Sequence, residues 1–378
     1  MPLSRTELAR YSRHLLLGEF GTAGQEKLQA ARVLVVGAGG LGSPAALYLA
    51  AAGVGTLGLL DCDRIDLSNL QRQVLYDTAQ VGQPKAATAR DRLAALNPEI
   101  RVVAHDVELR AGNVMQTLGD YDVILDGSDR VATRYLVNDA CVLLGRTLVS
   151  AAIHRFEGQA TTCVPGVGPC YRCLFPEPAV GAAPSCAEAG VLGVLPGVLG
   201  TIQATEAIKV ITGIGEPLIG RLLTYDALTM RFDEFRFGRD ADCRVCGAYR
   251  DIHAPHDLEE ACATAVVHGV AVTPTELRRL LGGAGAGGKR SVALVDVREP
   301  WEFLSGHLEG ARNIPLGQLP QRLAELSPQS QAVFVCRVGE RSARALAFAQ
   351  QAGHDSATHL QGGMLAWVRD VGMELIVA

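Results

Sequence analysis

Two pairs of cysteines have the clearest chemical potential in this chain of 378 residues. The pairs are Cys170-Tyr-Arg-Cys173 and Cys243-Arg-Val-Cys246, and a long stretch of chain separates them. Four thiolates suit a closed tetrahedral zinc site, in which no coordination position stays open for catalysis. Independent redox pairs are disfavoured because neither pair is expected to begin a helix directly after a strand. The sequence therefore predicts a structural zinc ion that joins distant segments of one domain.

A fifth cysteine, Cys336, lies in the loop CRVGERS at residues 336–342. An apolar strand precedes the loop and a helix is predicted to begin near Ser342, so successive backbone amides would point at one sulfur atom. The helix dipole, together with Arg337 and Arg341, is expected to lower the pKa of the Cys336 thiol. A persulfide anion would be stabilised in the same way. The alternative is that Cys336 is an ordinary core residue.

A glycine-rich loop, GAGGLG at residues 37–42, follows a predicted strand and opens a predicted helix. This is the context of a phosphate-binding loop, since glycines let the backbone approach a phosphate and a helix N-terminus favours an anion. Asp61 ends the next strand, 19 residues after Gly42, where a ribose-binding carboxylate is expected. These features alone fit an NAD-dependent oxidoreductase equally well.

The residues after Asp61 favour a nucleoside triphosphate over a dinucleotide. The run DCDRIDLSNLQRQ at residues 61–73 concentrates carboxylates, amides and an arginine, and Lys85 follows in a chain with only 4 lysines against 31 arginines. Arg72 and Lys85 would neutralise a triphosphate. Asp126 and Asp129, in LDGSDR, would hold magnesium against phosphate oxygens.

Alternating strand and helix patterns position these groups. Apolar runs at residues 31–37, 55–61, 100–106 and 121–129 predict buried parallel strands, with helices over Ser43–Ala52 and Lys85–Leu96. This order predicts a doubly wound parallel sheet that binds its ligand at the carboxyl ends of the strands. A second α/β unit follows, with strands at 291–299 and 331–337 and a glycine-rich loop at 282–289.

The stretch from Leu8 to about Ala248 resembles the MoeB/ThiF adenylyltransferases, relatives of the ubiquitin-activating enzymes. The matching segments are ARYSRHLLL, GAGGLGS, DCDRIDLSNLQRQ, GQPKA, DGSDR and TIQATEAIKV. The resemblance implies a Rossmann-like α/β fold with the same cysteine pairs binding zinc. It also implies that the enzyme uses ATP to activate the C-terminal glycine of a small ubiquitin-like sulfur-carrier protein ending in Gly-Gly.

Individual residues take roles from this resemblance. Asp61 would bind the ribose, Arg72 and Lys85 the phosphates, and Asp129 would support magnesium and catalysis. Arg13 would reach the ATP of a second subunit, which predicts a homodimer. The expected nucleotide site, including an amide near the phosphates, consists of Gly37, Gly39, Gly40, Gly42, Asp61, Asn69, Arg72, Lys85, Asp129 and Arg13.

From about Gly269 to the C-terminus, the segments DVREPWEF, SGHLEGARNIPL and QGGMLAW resemble single-domain rhodaneses. This resemblance implies that Cys336 carries sulfur. Related phosphatases have five residues between cysteine and arginine, whereas this loop has four and so suits one sulfur better than a phosphate. The predicted domains are therefore an adenylyltransferase domain at 1–248, a linker at 249–268 and a small α/β rhodanese domain at 269–378.

Two interpretations of Cys186 stay open. It lies in AAPSCAEAGVLG, where small residues precede an apolar segment. In some of the resembled adenylyltransferases, a cysteine at this place bonds covalently to the carrier or resolves an acyl disulfide. The alternative is a small buried hydrophobic residue.

Charge and hydropathy exclude several classes of protein. The formal charge is −5, with no basic–aromatic stripe, which disfavours nucleic-acid binding. The N-terminal residues lack the apolar core of a signal peptide. Glycines interrupt the two longest apolar stretches, Ala45–Leu60 and Val191–Ile202, so neither forms a membrane span. We expect a soluble cytoplasmic protein, in which cysteines are ligands or reagents rather than disulfides.

The sequence thus predicts adenylylation of a sulfur carrier, followed by sulfur transfer from a Cys336 persulfide to give a C-terminal thiocarboxylate. Thiosulfate or a cysteine desulfurase would supply the sulfur. Molybdopterin biosynthesis is the first choice of pathway, with thiamin, cysteine and tRNA-thiolation carriers as alternatives. The rival functions are an NAD-dependent oxidoreductase, disfavoured by the residues at 61–85, and a non-catalytic sulfur-relay scaffold.

Overall fold

The computed structural model describes residues 3–178, 190–258, 271–282, 292–326 and 330–372. The chain divides into two compact units, Met1–Glu260 and Ala261–Ala378. Each unit is built on its own sheet. Within the described residues, none of the helices combines the length and apolar character needed to cross a bilayer.

The first unit contains one eight-stranded sheet, in the order β3-β2-β1-β4-β5-β6-β7-β8. The first five strands of this order run parallel, and the last three add antiparallel pairs. The strands are β1 (Arg32–Val36), β2 (Thr56–Leu60), β3 (Arg101–His105), β4 (Val123–Asp126), β5 (Thr147–His154), β6 (Glu157–Cys163), β7 (Arg221–Asp226) and β8 (Arg231–Arg236).

Helices cover both faces of this sheet. They are α1 (Arg5–Arg10), α2 (Ser12–Leu15), α3 (Gly21–Ala30), α4 (Gly42–Ala52), α5 (Lys85–Leu96), α6 (Ala111–Gly119), α7 (Val131–Leu144), α8 (Tyr171–Leu174) and α9 (Leu195–Thr212). The predicted helix over Lys85–Leu96 is confirmed at both ends, and the predicted helix from Ser43 begins one residue earlier.

Strand β1 shows why a continuous apolar run forms the centre of the sheet. Val33 and Val35 pack with α3, α4 and α5 on one face, whereas Leu34 and Val36 pack with α6 and α7 on the other. All four side chains are buried, so the strand needs apolar residues at every position rather than at alternate positions. Its carboxyl end therefore emerges between two cores, where the glycine-rich loop begins.

The second unit has a five-stranded parallel sheet, in the order β11-β10-β12-β13-β9. Its strands are β9 (Ala271–Val272), β10 (Val292–Asp296), β11 (Arg312–Asn313), β12 (Gln331–Val335) and β13 (Thr358–Leu360). Its helices are α10 (Pro274–Gly282), α11 (Pro300–Leu304), α12 (Leu319–Arg322), α13 (Glu340–Gln351) and α14 (Gly363–Asp370). Again, β12 is buried on both faces, with Phe334 in one core and Val333 in the other.

The first part of the predicted linker packs against the first unit. Ile252 is buried beside the paired cysteines, and Leu258 lies against the core that α6 and α7 cover. The carboxylate of Asp257 also accepts a hydrogen bond from the backbone N–H of Ala111 at 2.8 Å. The chain between residues 249 and 258 is therefore attached to the first unit by packing and by a hydrogen bond.

A buried ion pair anchors the first cysteine pair to α7. The guanidinium of Arg172 donates two hydrogen bonds to the carboxylate of Asp139, at 2.7 and 2.8 Å, and both side chains are only 2% exposed. Arg172 also donates to the carbonyl oxygen of Pro176 at 3.0 Å. Removing one member of such a pair leaves an uncompensated charge in the interior.

We expect Arg172→Met to lower the free energy of unfolding of the first unit by about 3–5 kcal/mol, because Asp139 would keep its charge in the interior without a cation. Calorimetric unfolding of the full chain measures this loss. The matched control is Arg231→Met, which removes an exposed pair with Asp233 and should leave the midpoint nearly unchanged. Equal effects of the two substitutions would contradict the structural role of Arg172.

Candidate functional site

The glycine-rich loop turns sharply at the carboxyl end of β1. Gly37 has φ +86°, a left-handed conformation that favours glycine, and a Cβ on Gly42 would overlap the carbonyl oxygen of Gly37. A Cβ on Gly37 would lie 2.9 Å from the carbonyl oxygen of Gly127, just after β4. The loop is thus packed against the end of β4 and leads directly into α4, as expected for an anion-binding loop.

Asp61, the predicted ribose-binding residue, lies against this loop. One carboxylate oxygen accepts the backbone N–H of Ala38 at 2.9 Å, and the other accepts that of Asp63 at 2.9 Å. Burial raises the pKa of Asp61, while the nearby Lys85 ammonium opposes the shift. Lys85 is buried and donates to the carboxylate of Asp63 at 2.8 Å, with Asp61 at 3.9 Å. These residues form a single charged cluster beside the loop.

Arg72 and Gln73 approach the two glycines in the middle of the loop, Gly39 and Gly40. The Cδ of Arg72 is 3.5 Å from the position that a Cβ on Gly40 would take, and its guanidinium donates to the carbonyl oxygen of Ser68 at 3.1 Å. Gln73 is buried, with its amide nitrogen 3.5 Å from the corresponding position on Gly39. Its Oε1 atom has no hydrogen-bond partner among the described residues. A buried acceptor of this kind fits a site completed by a bound ligand.

The remaining predicted residues are more peripheral. Asn69 is half-buried in a 3₁₀ turn, where its Oδ1 accepts the backbone N–H of Asp66 at 3.4 Å. Arg13 is exposed on α2. Cys186 lies outside the described residues.

The two carboxylates at the end of β4 and just after it have different environments, and only Asp129 is placed where it could meet a bound magnesium ion. Asp126 is fully buried and accepts hydrogen bonds from Ser128 Oγ at 2.6 Å and from Arg134 at 3.2 Å. Its charge is therefore already compensated inside the protein. Asp129 is exposed at the start of the following helix, so it is the carboxylate that a bound metal could reach.

An open cavity of about 470 Å³ adjoins Arg72. It has an arginine and an amide on one side and a glycine-containing segment on the other, so it offers room for an extended ligand next to the loop. The lining residues are Pro44, Gln71, Arg72, Val74, Leu192, Gly193, Val194 and Gly197.

The four paired cysteines converge as predicted. Their sulfur atoms all lie within 4.8 Å of one another, and the distances include 3.6 Å between Cys170 and Cys243 and 3.4 Å between Cys173 and Cys246. Four sulfurs at about 2.3 Å from a tetrahedral zinc ion would be about 3.8 Å apart, so the donor set fits this metal. Zinc would link the segment after β6 to the segment after β8.

The first cysteine pair does not begin a helix directly after a strand, in agreement with the prediction. Cys170 is the N-cap of the four-residue helix α8, but β6 already ends at Cys163. The contacts between the two pairs also favour a shared ion, because Cys170 is closer to Cys243, at 3.6 Å, than to Cys173, at 3.9 Å.

In the second unit, the backbone cradle predicted around Cys336 is present. The Sγ atom accepts hydrogen bonds from the backbone N–H groups of Gly339 at 3.1 Å and Ser342 at 3.3 Å. Gly339 has φ +102°, and helix α13 begins at Glu340, two residues before the predicted start. The side chain of Ser342 lies 3.5 Å from the same sulfur. Such amides would stabilise a negative charge on sulfur.

The sequence predicted that Arg341 would lower the pKa of the Cys336 thiol, but the structure pairs this arginine with a carboxylate. Its guanidinium donates two hydrogen bonds to Glu302 of α11, at 2.6 and 2.7 Å. Burial raises the pKa of Glu302, but hydrogen bonds from Arg341 and from the Glu299 backbone outweigh it and hold the pKa below its usual range. Arg341 therefore fixes the loop to α11, and its charge on the sulfur side is partly neutralised. Sequence reasoning missed Glu302 as a partner, although it lies within the quoted segment DVREPWEF.

Comparison with known proteins identifies both units. Residues 11–245 match the model of the ThiF family, and residues 273–370 match the rhodanese-like domain. The chain belongs to the ThiF family. The "Probable adenylyltransferase/sulfurtransferase MoeZ" of Mycobacterium tuberculosis is 46% identical, over 99% of this chain and 96% of its own length. This ThiF-family chain is accordingly an adenylyltransferase and sulfurtransferase.

Two further comparisons cover the first unit. The sulfur carrier protein adenylyltransferase of Thermus thermophilus is 53% identical over 65% of this chain and 93% of its own length. The crystal structure of Escherichia coli MccB is 25% identical, with a TM-score of 0.57, and covers 65% of this chain and 75% of that chain. The Rossmann-like fold predicted from the sequence is confirmed.

Purified protein should contain one zinc ion per chain, and Cys243→Ser should lose both the metal and thermal stability, because three thiolates no longer complete a closed site. Metal analysis and thermal unfolding measure the two effects. Cys62→Ser is the matched control, since Cys62 is exposed and lies outside the cluster. A metal-free protein of equal stability would refute a structural zinc site.

Proposed function

We propose that this protein uses ATP to adenylylate the C-terminal glycine of a ubiquitin-like sulfur-carrier protein, and then converts that glycine to a thiocarboxylate with sulfur carried by Cys336. The observation that carries the proposal is the presence in one chain of two cradles for anions. One is the glycine-rich loop beside Asp61 and Lys85, and the other surrounds the Cys336 sulfur. The name of the Thermus relative, which specifies a sulfur carrier protein, supports the choice of substrate.

In the first stage, the glycine carboxylate attacks the α-phosphate of ATP, and pyrophosphate leaves. The loop amides and α4 would hold the phosphates, Asp61 the ribose, and Arg72 and Lys85 would neutralise charge that develops in the transition state. Lys85 is already held by Asp63 at 2.8 Å, so its ammonium is positioned before the nucleotide binds. Asp129 would hold magnesium, which when bound would neutralise phosphate oxygens.

In the second stage, the Cys336 thiolate attacks the outer sulfur of thiosulfate or an equivalent donor, and sulfite leaves. The resulting persulfide attacks the activated glycine carbonyl, and AMP leaves. A second thiolate then attacks the Cys336 sulfur, so that the carrier leaves as a thiocarboxylate and a disulfide forms on the enzyme. Cys186 is our candidate for this thiolate, and an external dithiol would reduce the disulfide. A buried, inert Cys186 remains the alternative.

We further propose a cytoplasmic homodimer acting in molybdopterin biosynthesis. The relative named MoeZ supports this pathway, although carriers for thiamin, cysteine or tRNA thiolation would undergo the same chemistry. Exposed Leu16 and Leu17, close to Arg13, support a subunit contact at α2 that would bring Arg13 to the ATP of the partner.

Asp129→Ala should lower carrier-dependent ATP–pyrophosphate exchange by about 100-fold or more, because a charge contact made in the transition state is lost. The exchange of labelled pyrophosphate into ATP measures adenylation alone. Asp120→Ala is the matched control, because Asp120 is also exposed but lies before β4, away from the loop. Unchanged exchange in Asp129→Ala would remove this carboxylate from the mechanism.

Cys336→Ala should abolish sulfur transfer from thiosulfate and leave ATP–pyrophosphate exchange near the wild-type rate, because sites without shared partners act almost independently. Mass spectrometry of the carrier detects the replacement of one oxygen by sulfur. Added sulfide should restore part of the thiocarboxylate, since the adenylate is still formed. Full sulfur transfer by Cys336→Ala with thiosulfate as the sole donor would make the second unit a docking module.

A further inference from the structure

A chain of hydrogen bonds leads away from the Cys336 sulfur. The proposed mechanism assigns no role to this chain. The thiol of Cys336 is 3.5 Å from the hydroxyl of Ser342, and that hydroxyl is 3.3 Å from Nδ1 of His359. Ser342 is fully buried and His359 is half-buried at the centre of β13. Two side chains of the loop at residues 336–342 and one of β13 therefore connect the reacting sulfur to an imidazole.

We propose that His359, acting through Ser342, accepts the proton of Cys336 and so prepares the thiolate that attacks the sulfur donor. The proposal rests on the proposed role of Cys336 as the sulfur carrier. Ser342 touches the reacting sulfur, whereas His359 is a positioning residue that acts through the serine hydroxyl.

The proton balance of this step is simple. The S–H bond of Cys336 breaks as its proton moves to Ser342 Oγ, and the proton of the Ser342 hydroxyl moves to His359 Nδ1. The products are a thiolate, a serine that donates its hydroxyl proton to the sulfur, and an imidazolium that donates to Oγ. The thiolate keeps the backbone N–H groups of Gly339 and Ser342, at 3.1 and 3.3 Å, as hydrogen-bond donors.

The surroundings of His359 favour its neutral form, which is the form that can accept a proton. Burial lowers the pKa of His359, and a hydrogen bond with the backbone of Gly339 opposes that shift. In its neutral form, an imidazole with the proton on Nε2 has a lone pair on Nδ1 that can accept from the hydroxyl of Ser342. In the resting state, the hydroxyl of Ser342 donates to the carbonyl oxygen of Gly339 at 2.9 Å. Rotation of this hydroxyl would direct the same proton towards Nδ1 of His359.

Other charged groups near the cradle are already paired or lie at its rim. Arg341 is held by Glu302, and Arg298 is held by Asp296 at 2.6 Å. The first residues of α14, which close the cradle through the bond from the Met364 N–H to the Cys336 carbonyl at 2.8 Å, bring no ionisable side chain. The loop itself contributes Arg337, Glu340 and Arg341.

The test is the rate of persulfide formation in the full-length, zinc-loaded protein, followed as a burst of sulfite from thiosulfate. His359→Asn should slow the burst by about 10- to 100-fold at pH 7, because asparagine can hydrogen-bond to Ser342 but cannot take a proton. The deficit should shrink above about pH 9, where a free thiol ionises without help. Attack of cyanide on preformed persulfide, which needs no proton removal from Cys336, should stay near the wild-type rate.

Two further variants separate the relay from a general loss of packing. His354→Asn removes another buried imidazole of the same unit, whose backbone bonds to Ala349 and Ala357, and should leave the burst unchanged. Ser342→Ala should slow the burst at least as much as His359→Asn. The double variant should be no slower than Ser342→Ala alone, because both substitutions interrupt the same proton relay and their effects do not add.

Two results would overturn the proposal. One is a wild-type burst rate for His359→Asn at pH 7, and the other is an equal loss at every pH together with slow cyanide attack, which would indicate a structural role. Cys336→Ala in the same assay keeps the two hypotheses apart. If that variant still forms persulfide, the role of Cys336 fails; if it does not and His359→Asn is unaffected, only the relay fails.

Discussion

The close approach of Gly42 to the carbonyl oxygen of Gly37 is the constraint on which the proposed nucleotide site depends. Because no side chain fits there, the loop can turn back tightly enough to start α4 directly at the end of β1. That turn directs the N–H of Ala38 towards Asp61, whose other oxygen accepts from Asp63, the partner of Lys85. A methyl group at position 42 would therefore disturb phosphate binding and the carboxylate–lysine cluster together.

The second unit also depends on a glycine that allows a tight turn after a strand. Gly339, in a left-handed conformation, turns the chain so that its own N–H and that of Ser342 reach the Cys336 sulfur. On the opposite side, a Cβ on Gly363 would overlap the backbone of Cys336 and Arg337, so α14 begins directly against the loop. Both loops thus present backbone amides at the carboxyl end of a parallel strand, an arrangement that can bind anions.

Local patterns in the sequence were enough to predict the cradles, because glycine spacing, strand ends and helix starts are encoded within a few residues. The ends of the helix Lys85–Leu96 followed from such signals. The convergence of the four cysteines, which lie far apart in the chain, was predicted from the preference of zinc for four thiolates and not from a local pattern. The pairing of Arg341 with Glu302 could not be predicted in this way, because it joins residues 39 apart on different elements. The burial of Asp126 was missed for the same reason, since Arg134 and Ser150 compensate it from outside its own loop.

The environments of the paired cations determine which of them can respond to a ligand. Asp63, the partner of Lys85, is 67% exposed, so water can solvate this carboxylate when the ammonium turns towards a phosphate. Glu302, the partner of Arg341, is only 11% exposed, and breaking that pair would leave a charge in a poorly solvated place. In the proposed nucleotide site, Lys85 would therefore exchange a carboxylate for a phosphate at low cost, whereas Arg341 would stay paired with Glu302 and hold the loop. In the sulfur cradle, the stabilisation of the anion then falls to the backbone amides and to the hydroxyl of Ser342.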